Sequence, residues 1–369
     1  MKSSLFYAMF SETHKPYLAM LFIQFVYAGM ALFSKTAIGK GMNPFVFVFY
    51  RQAFASFALA PFSFFVDRKN APPLSYSLLC RIFLVALVGI TLSLNLYYYA
   101  FNYTTATFAA ASNNTIPAIT FIMAAFLGME SILLKRLYGA AKVLGSVVCV
   151  SGALLFALYK GPPIKFLLRF YPSIHNEVSD SIILTNSSKS DWVKGALLVL
   201  SGNIAWSFWL IMQGPIVKRY PAKIYLTNLQ CCFSCIQSAI VALAFERNPS
   251  SWKLGWNIQL LSVAYCGIVV TGITYWLQVW SIEKKGPVFT AMFTPLALLI
   301  TAIFSAFLWK EIIHWGSVCG GLMLVGGLYC VLWGKRKEEA TIEANSERQV
   351  VQEANKAKEE TTLESITLQ

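Results

Sequence analysis

Ten apolar runs of 19 to 24 residues alternate with short polar breaks along the chain. They cover about 17–38, 44–66, 79–101, 106–128, 138–158, 195–213, 223–245, 258–281, 287–309 and 315–334. Roughly 20 helical residues cross the hydrocarbon core of a bilayer. Each run therefore predicts one spanning helix, and the ten are numbered span 1 to span 10. The first run begins too late and is too long for a cleaved signal peptide, so it is read as a retained helix. The pattern predicts an all-α membrane protein with an N-terminal segment 1–16, a first five-helix unit 17–158, a polar loop 159–194, a second five-helix unit 195–334 and a charged tail 335–369.

The two five-helix units repeat. Shifted by 181 residues, 108–132 matches 289–313 at ten positions, including Phe108/Phe289, Thr120/Thr301 and Glu130/Glu311. Apolar bias alone does not produce the Glu pair. A shift of 178 pairs Gly89/Gly267 and Tyr97/Tyr275, 179 pairs Asp67-Arg68 with Glu246-Arg247, and 175 pairs Gly145/Gly320 and Gly152/Gly327. Five spans per unit is an odd number, which forces the second unit to insert upside down relative to the first. Inverted repeats are a mark of secondary transporters, with the substrate site at the midplane between the halves.

Composition agrees with the pattern. Of 369 residues, 57% are hydrophobic and 13% charged, and the mean hydropathy is +0.57. A soluble domain carries roughly 25% charged residues, so a soluble enzyme is excluded. The net charge of +13 sits in short clusters between apolar runs and not on one face, which argues against nucleic acid as a partner. With the N-terminus in the cytoplasm, sixteen Lys and Arg fall on inner segments and ten on outer ones. By the positive-inside rule both termini are then cytoplasmic and the 159–194 loop extracytoplasmic. That loop carries the glycosylation sequon Asn186-Ser187-Ser188. Asn102 and Asn113 also head sequons but lie at or within the membrane.

Polar groups inside spans are costly and mark function or helix–helix contact. They concentrate in the paired spans 1/6, 3/8 and 4/9. The candidate substrate-binding residues are Gln24, Tyr27, Asn95, Tyr97, Asn114, Thr120, Trp206, Trp209, Gln213, Tyr275, Gln278 and Thr294. Asn114 stands out, because it lies one turn before Pro117, whose ring removes a helical hydrogen bond. Pro295 occupies the position equivalent to Asn114. Both central helices are therefore expected to break near mid-depth. Arg51 lies about two turns into span 2. Its charge is expected to snorkel outward, or else to anchor a carboxylate or pair with a partner. Glu130 and Glu311, with Arg51, are candidate gates or helix-end anchors. Gly145 and Gly152 in span 5, and Gly316, Gly320, Gly321, Gly326 and Gly327 in span 10, form small-residue faces suited to close packing or to a homodimer.

Other chemistry is absent from the sequence. His14, His175 and His314 are far apart, no Asp lies inside a span, and there is no phosphate-binding Gly-Lys-Ser/Thr loop. Cys232 and Cys235 form a C-x-x-C at mid-span with no nearby His, which reads as packing. No catalytic residue, metal or cofactor is expected. With no acid or His well inside a span, flux is expected to follow the substrate gradient without obligatory proton coupling.

Several motifs together resemble a known family. Asn95-Leu-Tyr97, Tyr103-Thr-Thr-Ala-Thr107-Phe and Asn114-x-x-Pro117-Ala-x-Thr120-Phe look like spans 3 and 4 of plant drug/metabolite transporters. Trp206-Ser-x-Trp209, Gln213, Tyr220-Pro221, Gly286-Pro287, Pro295, Glu311 and Trp333-Gly-Lys335 agree in the second half. The chain resembles the Walls-Are-Thin-related, nodulin-21-like (UMAMIT) group over about 17–337. Ala100 stands where that group commonly has Gly. The resemblance implies two EamA-type repeats, a central cavity, and bidirectional movement or export of amino acids across the plasma membrane. Auxin or another organic metabolite, or the vacuolar membrane, are the alternatives it leaves.

Overall fold

A computed structural model describes the backbone of residues 2–67, 72–103, 109, 112–130, 136–158, 189–308 and 315–367. Among these residues all regular structure is helical. The helices follow the apolar runs: α1 (His14–Gly39), α2 (Pro44–Val66), α3 (Tyr76–Asn102), α4 (Ile116–Phe126), α5 (Leu137–Gly152), α6 (Val193–Arg219), α7 (Lys223–Phe245), α8 (Ile258–Lys285), α9 (Pro287–Phe304) and α10 (Val318–Glu338). Eight are long and apolar enough to cross a membrane; α4 is shorter among the described residues, and the α5 helix continues to Leu158. Asn186 and Glu311 lie outside the described residues.

Both predicted breaks are present. Asn113–Thr115 forms a 3-10 turn, and α4 starts at Ile116 with Pro117 in its first turn. In α9, a first helix Pro287–Met292 ends before a second starts at Thr294, with Pro295 next. Proline is tolerated there because a first helical turn has no intrahelical acceptor for its N–H. Gly286, at φ +85°, turns the chain from α8 into α9. The helices also extend further than the hydropathy does. The first continues back to Lys2 and the last runs on to Thr367. Beyond Gly334 the tail is rich in Glu, Lys and Ala, strong helix formers.

α5 and α10 pack along each other through their glycines. A Cβ on Gly327 would sit 2.7 Å from both the Cys149 amide nitrogen and the Gly145 carbonyl oxygen, and one on Gly152 2.9 Å from the Gly320 carbonyl oxygen. Gly145, Gly152 and Gly327, part of the faces offered as a homodimer surface, are thus covered within the chain. A core of Phe121, Ala124, Cys149, Val288, Met292, Leu328 and Val331 joins α4, α5, α9 and α10. A larger one joins α2, α3, α6, α7 and α8 around Val46, Phe47, Ile90, Trp209, Leu226 and Val270.

The bundle end that carries the chain termini is tied by charge. Glu130, just past α4, accepts from Lys142 of α5 at 3.0 Å and Lys335 of α10 at 3.2 Å. Lys142 also reaches Glu338 at 2.7 Å. Lys142 is 1% exposed. It is therefore a buried network member and not the loop cation its place in a basic cluster suggests. On the same end Lys223 pairs with Glu283 at 2.8 Å. At the opposite end Asn43 donates to Glu246 at 2.7 Å and Gln259 to the Lys40 carbonyl at 3.2 Å.

Candidate transport site

A cavity of about 130 Å³ opens between the two halves. The first half lines it from α1 to α4, with Tyr27 and Met30, Arg51, Tyr97 and Tyr98, and Asn114. The second half supplies Asn203 and Trp206 from α6, Tyr275 from α8, and Thr294 and Thr301 from α9. Its α1 and α9 lining starts beyond Met20, Ile23, Phe289 and Phe293, which form a buried cluster toward the termini end. Tyr17 adds an edge-on contact to Phe289 at 5.1 Å.

The breaks shape this cavity. The 3-10 turn places Asn113 and Asn114 in the wall, where Asn113 donates to the Tyr97 hydroxyl at 3.4 Å. Asn203 holds the turn from outside: its amide donates to the Ser112 carbonyl at 2.8 Å and to Thr115 Oγ1 at 3.2 Å. Trp206 stacks on Trp209 at 4.8 Å and 20°, and both rings meet Tyr275 at 5.3 Å.

π-helical stretches at Ala86–Leu92 and Tyr265–Ile273 occupy equivalent places in the two repeats. Such wide turns recur at functional sites. In α8 the Thr271 hydroxyl donates to the Cys266 carbonyl five residues back, at 3.0 Å. Gly267 in that stretch lets α8 approach α2 so closely that a Cβ would lie 2.7 Å from the Arg51 carbonyl oxygen. Thr271 is thereby brought within reach of the Arg51 side chain.

Arg51 does not snorkel. It is 1% exposed and faces the cavity. Its Nε donates to Thr271 Oγ1 at 2.7 Å, Nη1 to the Tyr98 hydroxyl at 3.0 Å and Nη2 to the Tyr275 hydroxyl at 3.3 Å. The π-helical turn and the tyrosine pair hold it inward, a geometry that span hydropathy does not carry.

Of the residues singled out from the sequence, Tyr27, Tyr97, Asn114, Trp206, Tyr275, Thr294 and Arg51 line the cavity. Gln24, Asn95, Thr120, Trp209, Gln213 and Gln278 are not part of the lining. Gln278 donates to the Tyr27 hydroxyl at 2.8 Å. Trp209 donates to Gln230 at 3.0 Å, and Gln213 pairs with the same Gln230 at 3.1 Å. Asn95 bonds back to the Thr91 carbonyl at 2.7 Å. Gln24 and Thr120 are buried, and Gln24 Oε1 and Thr120 Oγ1 lack a partner among the described residues. Tyr98, Met30, Asn113 and Asn203 are site residues the candidate set lacks. Asn203 was visible as an in-span amide, whereas Tyr98 carries no repeat signal to separate it from core aromatics.

Comparison with known proteins fits this architecture. The profile of the EamA-like transporter family matches residues 14–152 and 193–333. The chain belongs to that family. It is a multi-pass membrane transporter and not an enzyme. Among relatives, one WAT1-related protein of Arabidopsis thaliana is 54% identical over 92% of this chain and 98% of its own length. A second is 50% identical over 89% of this chain and 92% of its own. Protein WALLS ARE THIN 1 of the same plant is 36% identical over 87% of this chain and 83% of its own. The transporter also shares its fold with a solved crystal structure, at TM-score 0.62 and 15% identity over 86% of this chain and 98% of the other.

Proposed function

We propose that the protein moves amino acids through the central cavity by alternating access, bidirectionally or as export, across the plasma membrane. In this reading ten helices form two inverted five-helix repeats, 17–158 and 195–334, with both termini and the 335–369 tail in the cytoplasm. The 159–194 loop, with Asn186 as its glycan acceptor, is then extracytoplasmic. The observation that carries the proposal is a mostly apolar, aromatic cavity with a few polar groups, lined by both halves, with a packed aromatic cluster between it and the termini end. Among the described residues, oxygens of Gln24, Thr120, Gln278 and Ser281 on the termini side of the cavity are buried without a partner, as are groups of Gln52, Asn95 and Ser238 elsewhere. Desolvation without a partner is costly, and opening the termini side would wet the first four. Movement of auxin or another organic acid is the second reading, favoured by the Trp206 and Tyr275 wall.

The test is efflux from loaded cells. Losing one hydrogen bond to a charged group costs roughly 1.5–3 kcal/mol, about tenfold or more in affinity. Asn114→Ala is expected to cut amino-acid efflux by that factor at unchanged surface abundance. Ser112→Ala should do less, since a hydroxyl there can be satisfied by its own helix. Normal flux in Asn114→Ala at normal abundance would place the site elsewhere. A pH gradient alone should drive no accumulation, in line with a cavity whose lining, among the described residues, includes no acid or histidine.

A further inference from the structure

Among the described residues that line the cavity, Arg51 is the only Lys, Arg, Asp, Glu or His, so the one formal charge there is positive. Every hydrogen bond recorded for the guanidinium goes to a neutral acceptor: Thr271, Tyr98, Tyr275 and, at 3.6 Å, the soft Met30 sulfur. A guanidinium has five N–H donors in a planar fork. These four contacts leave one donor over and spend another on a weak acceptor. Among the described residues no carboxylate lies within salt-bridge distance of it. Buried charges in proteins are as a rule paired, and an ionisable group inside a span is a functional site by default.

The repeat shows that the fold does not need this charge. At the shift of 179 that aligns Asp67-Arg68 with Glu246-Arg247, Arg51 falls on Gln230. Gln230 is buried in α7 and bonds Trp209 and Gln213. A neutral amide therefore does the packing work at this place in one half, while the other half carries a cation that faces the cavity.

We propose that Arg51 receives the carboxylate of the transported molecule, which makes a carboxylate the required element of the substrate. The inference rests on the central cavity being the transport site. Arg with a carboxylate forms a two-pronged, charge-assisted pair. The loaded cavity is then neutral with a monocarboxylate. With a zwitterionic amino acid, the ammonium lies against aromatic faces such as Trp206 and Tyr275, where cation–π attraction serves it. Simple amines and amides, which lack the anion, meet a like charge or none.

The test uses proteoliposomes and counterflow of labelled phenylalanine, labelled glutamine and labelled phenylpropanoate. Competitors are phenylalanine, phenylalaninamide, phenethylamine and phenylpropanoate. Wild-type protein should be inhibited by phenylalanine at least tenfold more strongly than by the amide or the amine. Inhibition by phenylpropanoate as strong as by phenylalanine assigns the site to organic acids in general, and weak inhibition assigns it to amino acids; both carry the carboxylate requirement. Arg51→Gln, the residue the other repeat uses, should raise the half-saturating concentration of the acids roughly tenfold or more and leave inhibition by the amide and amine unchanged. If this variant does not fold, the wild-type series decides alone. Equal competition by acid, amide and amine overturns the role of Arg51. Should that happen while Asn114→Ala still cuts flux, the cavity remains the transport site. Absence of counterflow for both amino acids and for labelled phenylpropanoate overturns the cavity reading and this inference together.

Discussion

Lys142→Ala is expected to destabilise the protein by about 3–5 kcal/mol, the penalty for removing one partner of a buried ion pair. Lys142 lies between two carboxylates, 3.0 Å from Glu130 and 2.7 Å from Glu338, and is 1% exposed. Its removal leaves Glu338 without this cation and, among the described residues, leaves Glu130 paired with Lys335 at 3.2 Å. Two anions then face each other where α4, α5 and α10 converge. Thermal unfolding in detergent should show the largest drop for Lys142→Ala. A smaller one is expected for Lys335→Ala, whose side chain is more exposed. Pairing Lys142→Met with Glu338→Gln should recover much of the loss, because it removes one of the two facing carboxylate charges. Equal melting of Lys142→Ala and wild type would mean that the network adds nothing to the packing of these helices.

Gly327→Ala is expected to destabilise through overpacking, by about 1–3 kcal/mol, and Gly327→Val by more. The new Cβ would meet backbone atoms of α5 at 2.7 Å, and backbone cannot rotate away as a side chain tip does. The α5–α10 seam must then open along its length. The neighbouring position supplies the control. A Cβ at Gly326 meets nothing within 4 Å, so Gly326→Ala should be neutral or stabilising by up to about 1 kcal/mol, the helix-propensity gain over glycine. Size-exclusion profiles after a heating series would read both. A Gly326→Ala more damaging than Gly327→Ala would show that the seam runs along the other face.

Much of this architecture was legible because a bilayer imposes a length and a polarity on each segment. The apolar runs locate the helices, and Pro117 and Pro295 mark where two of them break, since a missing N–H is a local property. The Glu130/Glu311 and Gly89/Gly267 pairs disclose the duplication, since a polar or hydrogen-only side chain in an apolar run is not a chance of composition. The limits appear at the same residues. Trp206 and Trp209 are both conspicuous in the sequence, yet only Trp206 lines the cavity, while Trp209 turns to Gln230. Residues three apart differ by about one-sixth of a turn, enough to put one ring in the site and the next against a partner helix.

The sequence by itself determined an all-helical membrane protein with an internal repeat, with its polar groups gathered in a few helices and its glycines in α5 and α10. The tertiary structure alone decided which of those polar groups meet. The inward hold on Arg51 needs a π-helical turn in α8, a glycine that lets α8 touch α2, and hydroxyls from α3 and α8. The burial of Lys142 needs three helix ends to converge. Both depend on contacts between residues as much as 224 positions apart, and hydropathy along a single segment holds no information about its partners across the bundle.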